Sequence, residues 1–110
     1  MTTTEKVIDY LRDIDLARAR SDDAGRAIGM GRFNMARALE AEGTTYGRLL
    51  DCERRRRCEI LLAVNPRPDT VLIARKIGYT EPNSASRAFK RWFGMTLRQH
   101  KRELIQYGRV

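Results

Sequence analysis

The chain has 110 residues, of which 42% are hydrophobic and 33% are charged, and its formal net charge at pH 7 is +8. This length fits one ordinary domain, and the composition is typical of a soluble globular protein rather than a disordered tail or a membrane span. Because no apolar segment reaches transmembrane length and the first residues lack the basic and apolar regions of a signal peptide, we expect a cytoplasmic protein.

The contents of histidine and cysteine argue against a cofactor. Cys52 and Cys58 are separated by six positions in a predicted helix, about 9 Å along its axis and on different faces, so we expect two free thiols. With one histidine and no Cys-x-x-Cys spacing, a zinc site has too few ligands. The sequence also has no glycine-rich phosphate loop and no nucleophile beside a base. We therefore predict no metal, no cofactor and no enzymatic activity.

Positive charge is concentrated near the C-terminus. Residues 67–110 contain ten Lys and Arg against three Asp and Glu, whereas residues 21–43 contain three against four. Basic side chains grouped on one face favour contact with phosphate, although a solvated surface has the same composition. The charge alone therefore leaves both interpretations open.

Apolar residues at helical spacing predict an all-α fold of about seven helices with no β-strand, since no segment alternates with a period of two. Ser21 and Thr96 are predicted N-caps, and either Thr44 or Thr45 caps the longest helix, which the proline-containing residues 65–68 stop. In chain order, the predicted helices span residues 5–14, 21–29, 32–42, 44–64, 70–77, 81–93 and 96–107.

A segment of the first half of the chain recurs in the second half at an offset of 49 residues. Residues 24–30 (AGRAIGM) correspond to residues 73–79 (IARKIGY), and both contain Ile and Gly followed by a large apolar residue. The similarity continues in the segments RAL and RAF at positions 37–39 and 87–89, and Gly43 corresponds to Gly94. Two copies of a helix, a glycine turn and a second helix are typical of helix-turn-helix units, whose second helix enters a groove of DNA.

The small residues of the repeat have separate structural roles. Gly25 and Ala74 are expected where the first helix of each unit closely approaches the second, and Gly29 and Gly78 are expected to form the turn. The long fourth helix is roughly 30 Å at 1.5 Å per residue, close to the ~34 Å between successive major-groove faces of B-DNA. One monomer is therefore long enough to reach two grooves. The alternative is a helical bundle that binds a protein partner, with the glycines acting only as C-caps.

Residues 73–79 (IARKIGY) and 86–96 (SRAFKRWFGMT) resemble the signature of the AraC family of bacterial transcription regulators. The match covers about 90 residues and includes further positions on the linking helix and in the first unit: Arg54, Cys58, Leu61, Leu62, Gly29, Met30, Arg37, Leu39 and Gly43. The resemblance implies a single DNA-binding domain over residues 1–110 with two helix-turn-helix subdomains. Its implied parts are a first unit at about 21–43, a linking helix at about 44–64, a second unit at about 69–94 and a closing helix at about 96–107.

The resemblance also implies a function. It indicates sequence-specific binding of double-stranded promoter DNA, with RNA polymerase as a further partner and no membrane association. Because one chain carries two units, no dimer is required by geometry and we expect a monomer on DNA. Full-length members carry a separate effector or dimerisation domain, so the chain is either a short stand-alone member or the DNA-binding part of a longer regulator. The alternative function is a protein-interaction module, an antagonist that uses the same fold to bind another regulator or RNA polymerase.

The positions that would meet DNA follow from the match. Base-reading positions are implied in the third and sixth helices: Arg32, Phe33, Ala36, Arg37, Pro82, Asn83, Ser86 and Arg87. An arginine can bond guanine bidentately and an asparagine can bond adenine in the same way. The implied phosphate contacts are Arg54, Lys90, Arg91 and Arg98.

Each of these positions has a structural alternative. Arg37 and Arg87 are also compatible with local ion pairs, and Lys90 and Arg91 with ordinary solvated residues. At most two of the four consecutive arginines at 54–57 can face DNA, because helical residues wrap around the axis. The aromatic residues Phe89, Trp92 and Phe93 are predicted to belong to the core. The chain departs from the family pattern at four places: Gly31 for Ser or Thr, Ala85 for Phe, Leu97 for Pro, and His100-Lys101 for Tyr-Arg.

Overall fold

The computed structural model describes residues 1–65 and 69–100, and every regular element in these ranges is helical. The elements in chain order are α1 (Thr3–Arg12), a 3-10 turn (Leu16–Arg18), α2 (Ser21–Ala27), α3 (Arg32–Ala41), α4 (Tyr46–Val64), α5 (Thr70–Lys76) and α6 (Pro82–Phe93). Residues 97–100 are also helical, and the remainder of the predicted closing helix, 101–107, lies outside the described residues. The all-α fold predicted from the sequence is confirmed.

The chain forms two compact units, one consisting of Met1–Arg54 and a second that begins at Arg55. Each has its own hydrophobic core. The core of the first unit contains Val7, Leu11, Leu16, Ala24, Met35, Leu39 and Leu49. The core of the second unit contains Cys58, Ile73, Ile77, Phe89 and Leu97. Of the aromatic residues predicted to be in the core, Phe89 is buried, whereas Trp92 and Phe93 are partly buried and pack against this cluster.

Helix α1 begins earlier than predicted because a capping box closes its N-terminus. The Glu5 N–H donates to Thr2 Oγ1 at 3.1 Å, and the Thr2 N–H donates to Glu5 Oε1 at 3.2 Å. The helix ends at Arg12 rather than Ile14, since the Asp13 N–H bonds to the Tyr10 carbonyl in a tightened final turn. The predicted bounds of this helix were therefore wrong by two residues at each end.

The predicted N-caps are correct at two helices and wrong at one. Thr45 Oγ1 accepts the Arg48 N–H at 3.2 Å at the start of α4, and Thr96 Oγ1 accepts the Gln99 N–H at 3.1 Å. Ser21, however, is the first residue of α2 and not its cap. The cap position is Arg20, which has an extended backbone and whose carbonyl accepts the Ala24 N–H, so the helix begins one residue earlier than a Ser21 cap predicts.

Glu42, just after α3, anchors α1 within the first unit. Its carboxylate accepts the backbone N–H groups of Thr3 and Thr4 at 3.3 and 2.8 Å, and the Thr4 hydroxyl as well. These bonds satisfy donors at the N-terminus of α1, where an acidic side chain is also favoured by the helix dipole. They hold the pKa of Glu42 below its ordinary value.

Tyr46 at the start of α4 adds a second long-range contact to the first unit. Its hydroxyl donates to the Ala19 carbonyl at 2.9 Å, and burial raises the pKa of this phenol to about 12. None of the described helices is long and apolar enough to cross a membrane.

Candidate nucleic-acid interface

A tight turn joins α2 to α3 in the first unit. The Gly29 N–H donates to the Arg26 carbonyl at 3.1 Å, and the Met30 N–H donates to the Gly25 carbonyl at 2.7 Å. Gly29 has a φ of 78°, a conformation that suits a residue without a Cβ atom. This pair of bonds around a left-handed glycine is the Schellman motif, which ends α2 and redirects the chain into α3.

The same turn joins α5 to α6 in the second unit. The Gly78 N–H donates to the Arg75 carbonyl at 3.1 Å, and the Tyr79 N–H donates to the Ala74 carbonyl at 2.9 Å. Gly78 has a φ of 96°. All four positions lie 49 residues beyond their counterparts in the first unit, so the repeat seen in the sequence is present as one repeated turn.

Gly25 lies where α2 meets the segment that enters α3. A Cβ atom built on Gly25 would lie 2.7 Å from the Met30 carbonyl oxygen and 3.2 Å from the Arg32 nitrogen, both backbone atoms. The predicted requirement for a small residue here is confirmed. The corresponding Ala74 is also buried.

Helix α3 presents all four of its predicted base-reading residues to solvent, including Arg32. Phe33, Ala36 and Arg37 are exposed, whereas Met35 and Leu39 are buried in the first core. Phe33 is 70% exposed, although Phe is among the residue types most often buried. The exposed side chains of α3 thus include an aromatic ring, a methyl group and a guanidinium.

Helix α6 also has one face towards solvent and one towards its core, but on the solvent face only the arginine is the same as in α3. Asn83 and Arg87 are exposed and Ser86 is half-buried, while the opposite face packs into the second unit through Ala85, Ala88 and Phe89. Pro82 is the exposed first residue of the helix, where its missing N–H costs no hydrogen bond. Positions 83, 86 and 87 correspond to 33, 36 and 37 in the repeat.

Each of the two repeated arginines is hydrogen-bonded to a side chain one turn earlier in its own helix. Arg37 Nη2 donates to Asn34 Oδ1 at 2.7 Å, and Arg87 Nη2 donates to Ser84 Oγ at 3.4 Å. These local partners are neutral, so they are hydrogen bonds rather than the ion pairs considered from the sequence. Each guanidinium retains further N–H groups for another ligand.

Arg32, another predicted base reader, is engaged inside the first unit. Its Nε atom lies 3.4 Å from Asp22 Oδ1, and its guanidinium carbon lies 4.8 Å from the centre of the Phe33 ring. Both partners of the ion pair are about half exposed, so the pair is only weakly stabilising. It nonetheless offsets positive charge at the N-terminal end of α3.

The predicted phosphate contacts differ in exposure. Lys90, Arg91 and Arg98 are exposed in the second unit, and the Arg91 guanidinium carbon lies 5.8 Å from the Trp92 ring centre. Arg54, in contrast, is half-buried and its Nε atom is inaccessible to solvent. The three residues of the second unit are therefore better placed than Arg54 to meet a polyanion.

Sequence reasoning missed the side chains that hold the arginines. Asn34 and Ser84 each lie three residues before an arginine, and such pairs lie on the same face of a helix. The spacing was visible in both copies of the repeat, as Asn-x-x-Arg and Ser-x-x-Arg. The pairing of Arg32 with Asp22 had no such signal, because it depends on how two helices pack.

The described residues contain no group of three or more His, Cys, Asp or Glu side chains that could hold a metal ion. Both cysteines are free thiols, Cys52 exposed and Cys58 buried. Burial raises the pKa of the Cys58 thiol to about 11, which disfavours the reactive thiolate.

The chain is similar in sequence to mycobacterial regulators, although no protein-family model matches it. It is 31% identical over 103 residues to the HTH-type transcriptional regulator VirS of Mycobacterium tuberculosis. It is 33% identical over 91 residues to an uncharacterised HTH-type transcriptional regulator of the same species. These alignments cover 91% and 83% of this chain but only 29% and 26% of the relatives, so the chain spans less than a third of their length.

Solved structures share the fold. A DNA-binding transcriptional dual regulator from Escherichia coli K-12 superposes with a TM-score of 0.83 at 17% identity, covering 94% of this chain and 98% of that one. The transcriptional regulator CdpR from Pseudomonas aeruginosa superposes with a TM-score of 0.81 at 24% sequence identity, and the match covers 91% of this chain and 31% of that one. The C-terminal domain of AraT, a response regulator from Geobacillus stearothermophilus, superposes with a TM-score of 0.77 at 20% sequence identity, and the match covers 94% of this chain and 86% of that one. The chain therefore has HTH-type transcriptional regulators as sequence relatives and the fold of solved bacterial regulators.

Proposed function

We propose that this chain is an AraC-type DNA-binding domain that binds double-stranded promoter DNA and regulates transcription. The observation that carries the proposal is the repeated arginine. Arg37 and Arg87 are exposed at matching positions on α3 and α6, and each helix follows a glycine turn of the same geometry. A guanidinium held on the outer face of the second helix is the group that most often reads guanine.

In this proposal residues 1–110 act as one binding domain, with α3 and α6 entering adjacent major-groove segments. Arg37 and Arg87 bond guanine edges, while Asn83 bonds adenine and Ser86 reaches a base or a phosphate. The protein acts as a monomer because one chain supplies both units. RNA polymerase is the further partner that regulation at a promoter requires.

The two units contribute differently to affinity. Lys90, Arg91 and Arg98 are exposed in the second unit and supply most of the attraction to phosphate. Residues 21–43 carry one more acidic than basic side chain, so the first unit adds base recognition rather than electrostatic affinity. Non-specific binding should accordingly depend on the second unit.

The test is selection from a random duplex library. The purified chain is incubated with the library at moderate salt, and bound DNA is recovered over several rounds and sequenced. We expect two short conserved blocks about one helical turn, 10–10.5 base pairs, apart. A single block would show that only one unit reads DNA, and recovery that follows charge alone would contradict sequence-specific binding.

A second candidate function is a protein-interaction module that binds another regulator or RNA polymerase. The exposed Phe33 and the acidic balance of the first unit favour it, because protein interfaces are enriched in aromatic residues and acidic surfaces repel DNA. This candidate predicts a co-purifying protein that Phe33→Ala releases without any loss of DNA affinity. The absence of a partner in pull-downs would exclude it.

A further inference from the structure

The exposed face of α3 combines two apolar side chains, Phe33 and Ala36, with the guanidinium of Arg37. Phe33 is 70% exposed, and Ala36, one turn later on the same face, is exposed as well. Exposing an aromatic ring to water is unfavourable, and covering it with another apolar group lowers the free energy. This pair therefore favours a ligand with an apolar group beside its hydrogen-bonding groups.

The charges around this face limit its affinity for phosphate. Arg32 is paired with Asp22 at 3.4 Å and its guanidinium lies over the Phe33 ring, so its charge is offset within the unit. Arg37 remains on the outer face, with its guanidinium held by Asn34. The face is therefore built for specific contacts rather than for general attraction to the DNA backbone.

The matching face of α6 lacks the apolar pair. Phe33 and Ala36 correspond to Asn83 and Ser86, whereas the arginine is retained. The two units thus share a scaffold and a guanine-reading group but differ in the chemistry next to it. One unit offers apolar contact where the other offers hydrogen bonds.

We infer that the first unit recognises the 5-methyl group of thymine through Phe33 and Ala36, beside the base that Arg37 reads. This inference rests on the proposed DNA binding. In the major groove the thymine methyl is the apolar group that distinguishes one base from the others, and Ala and Phe side chains contact it. Covering Phe33 with this methyl group removes apolar surface from water on both partners.

The helix geometry sets the expected spacing within the site. Phe33 and Arg37 are four residues apart, about 6 Å along the axis at 1.5 Å per residue. Bases of one strand are separated by about 3.4 Å, so this distance spans about two base steps. The thymine read by Phe33 should therefore lie within two base pairs of the guanine read by Arg37.

The experiment replaces thymine with deoxyuridine, which lacks the methyl group but pairs identically. The substitution is made at each thymine of the selected duplex in turn, and the dissociation constant of the full chain is measured. We expect a loss of about fourfold for a thymine in the first-unit block, the effect of one buried methyl group. Deoxyuridine in the second-unit block should change the dissociation constant by less than about 1.5-fold, because no apolar side chain of α6 covers the thymine methyl group there.

Two variants connect this effect to the side chains. Phe33→Ala should discriminate less between the thymine and deoxyuridine duplexes, because only Ala36 remains to cover the methyl group, while Asn83→Ala should keep the full discrimination in the first block. Combining Phe33→Asn with Ala36→Ser gives the first unit the side chains of the second, and should shift its selected block from thymine towards adenine. Phe33 is exposed, so these changes leave the core intact.

Three outcomes separate the possibilities. Sequence-specific binding that is insensitive to deoxyuridine in the first block overturns the methyl inference and leaves DNA binding intact. Discrimination that survives undiminished in Phe33→Ala assigns it to residues other than Phe33 and also overturns the inference. Failure to select any duplex, or release of a bound protein by Phe33→Ala with DNA affinity unchanged, overturns the proposed function as well.

Discussion

Gly25 is the residue at which the first unit has the least room for a side chain. A Cβ atom there would meet the Met30 carbonyl oxygen at 2.7 Å, and backbone atoms cannot move aside as the end of a flexible side chain can. Overpacking costs about 1–3 kcal/mol, against a gain of about 0.5–1 kcal/mol for alanine over glycine in a helix. We expect Gly25→Ala to lower the free energy of unfolding by about 1–2 kcal/mol in urea titrations.

Gly31 provides the matched control six residues later. Nothing lies within 4 Å of a Cβ built there, its φ of −73° suits any residue, and it is the N-cap of α3 without a side-chain bond. Gly31→Ser should therefore stabilise the chain by a few tenths of a kcal/mol. Equal effects of the two substitutions would refute the close-approach explanation for Gly25.

Asn34 is expected to position Arg37 for base reading. Its amide oxygen holds the guanidinium at 2.7 Å, and fixing such a side chain in advance reduces the cost of ordering it on binding, about 0.5–1.5 kcal/mol. Asn34→Ala should weaken binding to the selected duplex about twofold to tenfold, measured by fluorescence anisotropy. Ser84→Ala should have a smaller effect because its bond to Arg87 is longer, 3.4 Å. An additional loss from Asn34→Ala in a chain that already carries Arg37→Ala would show that Asn34 acts in another way.

At the scale of helices, the attachment of α1 depends on Glu42. Because its hydrogen bonds with Thr3 and Thr4 lower the pKa of the folded carboxyl below 4.5, their stabilisation is present above that pH and is lost as the pH falls through the folded pKa. Glu42→Gln should lower the melting temperature at pH 7, and this difference from the parent should shrink as the pH falls below 4.5. The exposed Glu40 on α3 is the control, since Glu40→Gln should leave the melting temperature unchanged across the same pH range. An unchanged difference between Glu42→Gln and the parent across this pH range would contradict the carboxylate contacts.

Helix α4 carries two cysteines in opposite environments. Cys52 is exposed, whereas Cys58 is buried in the second core and burial raises its pKa to about 11. Alkylation of the native chain at pH 8 should therefore modify one thiol, and alkylation in urea should modify both, as counted by mass spectrometry. Rapid native labelling at Cys58 would mean that the second core opens readily.

The helical elements were predictable where local chemistry determines them. Glycine-terminated helices and the Thr45 and Thr96 caps follow from short segments of sequence, and they are confirmed. The early start of α1 is also encoded locally, in the Thr2-x-x-Glu5 capping box, which the apolar periodicity does not show. The 3-10 turn was not predictable by periodicity, because three residues are too few to show a helical period.

The candidate site was predictable only in part. The repeat identified which faces of α3 and α6 would be outward, and the exposure of Arg37 and Arg87 agrees with it. The ion pair of Arg32 with Asp22 and the partial burial of Arg54 result from the packing of helices, which the sequence pattern does not encode.

At the scale of the whole molecule, the distribution of charge predicts a strong salt dependence of binding. With about five or six phosphates neutralised, at about −0.9 each, the plot of log K against log salt should have a slope near −5. Lys90→Ala should reduce the slope by about 1, since it removes one phosphate contact. A slope shallower than about −2 on every duplex would contradict DNA binding through the second unit.

A matrix of dissociation constants tests whether each unit reads its own part of one duplex. The chain, Arg37→Ala and Arg87→Ala are each measured against the selected duplex and against two versions in which one block is scrambled. We expect Arg37→Ala to respond much less than the parent chain to scrambling of the first block but as strongly to scrambling of the second, and Arg87→Ala to do the reverse. If both variants lose response to the same block, or if neither loses any, the two units do not each read their own part of the duplex.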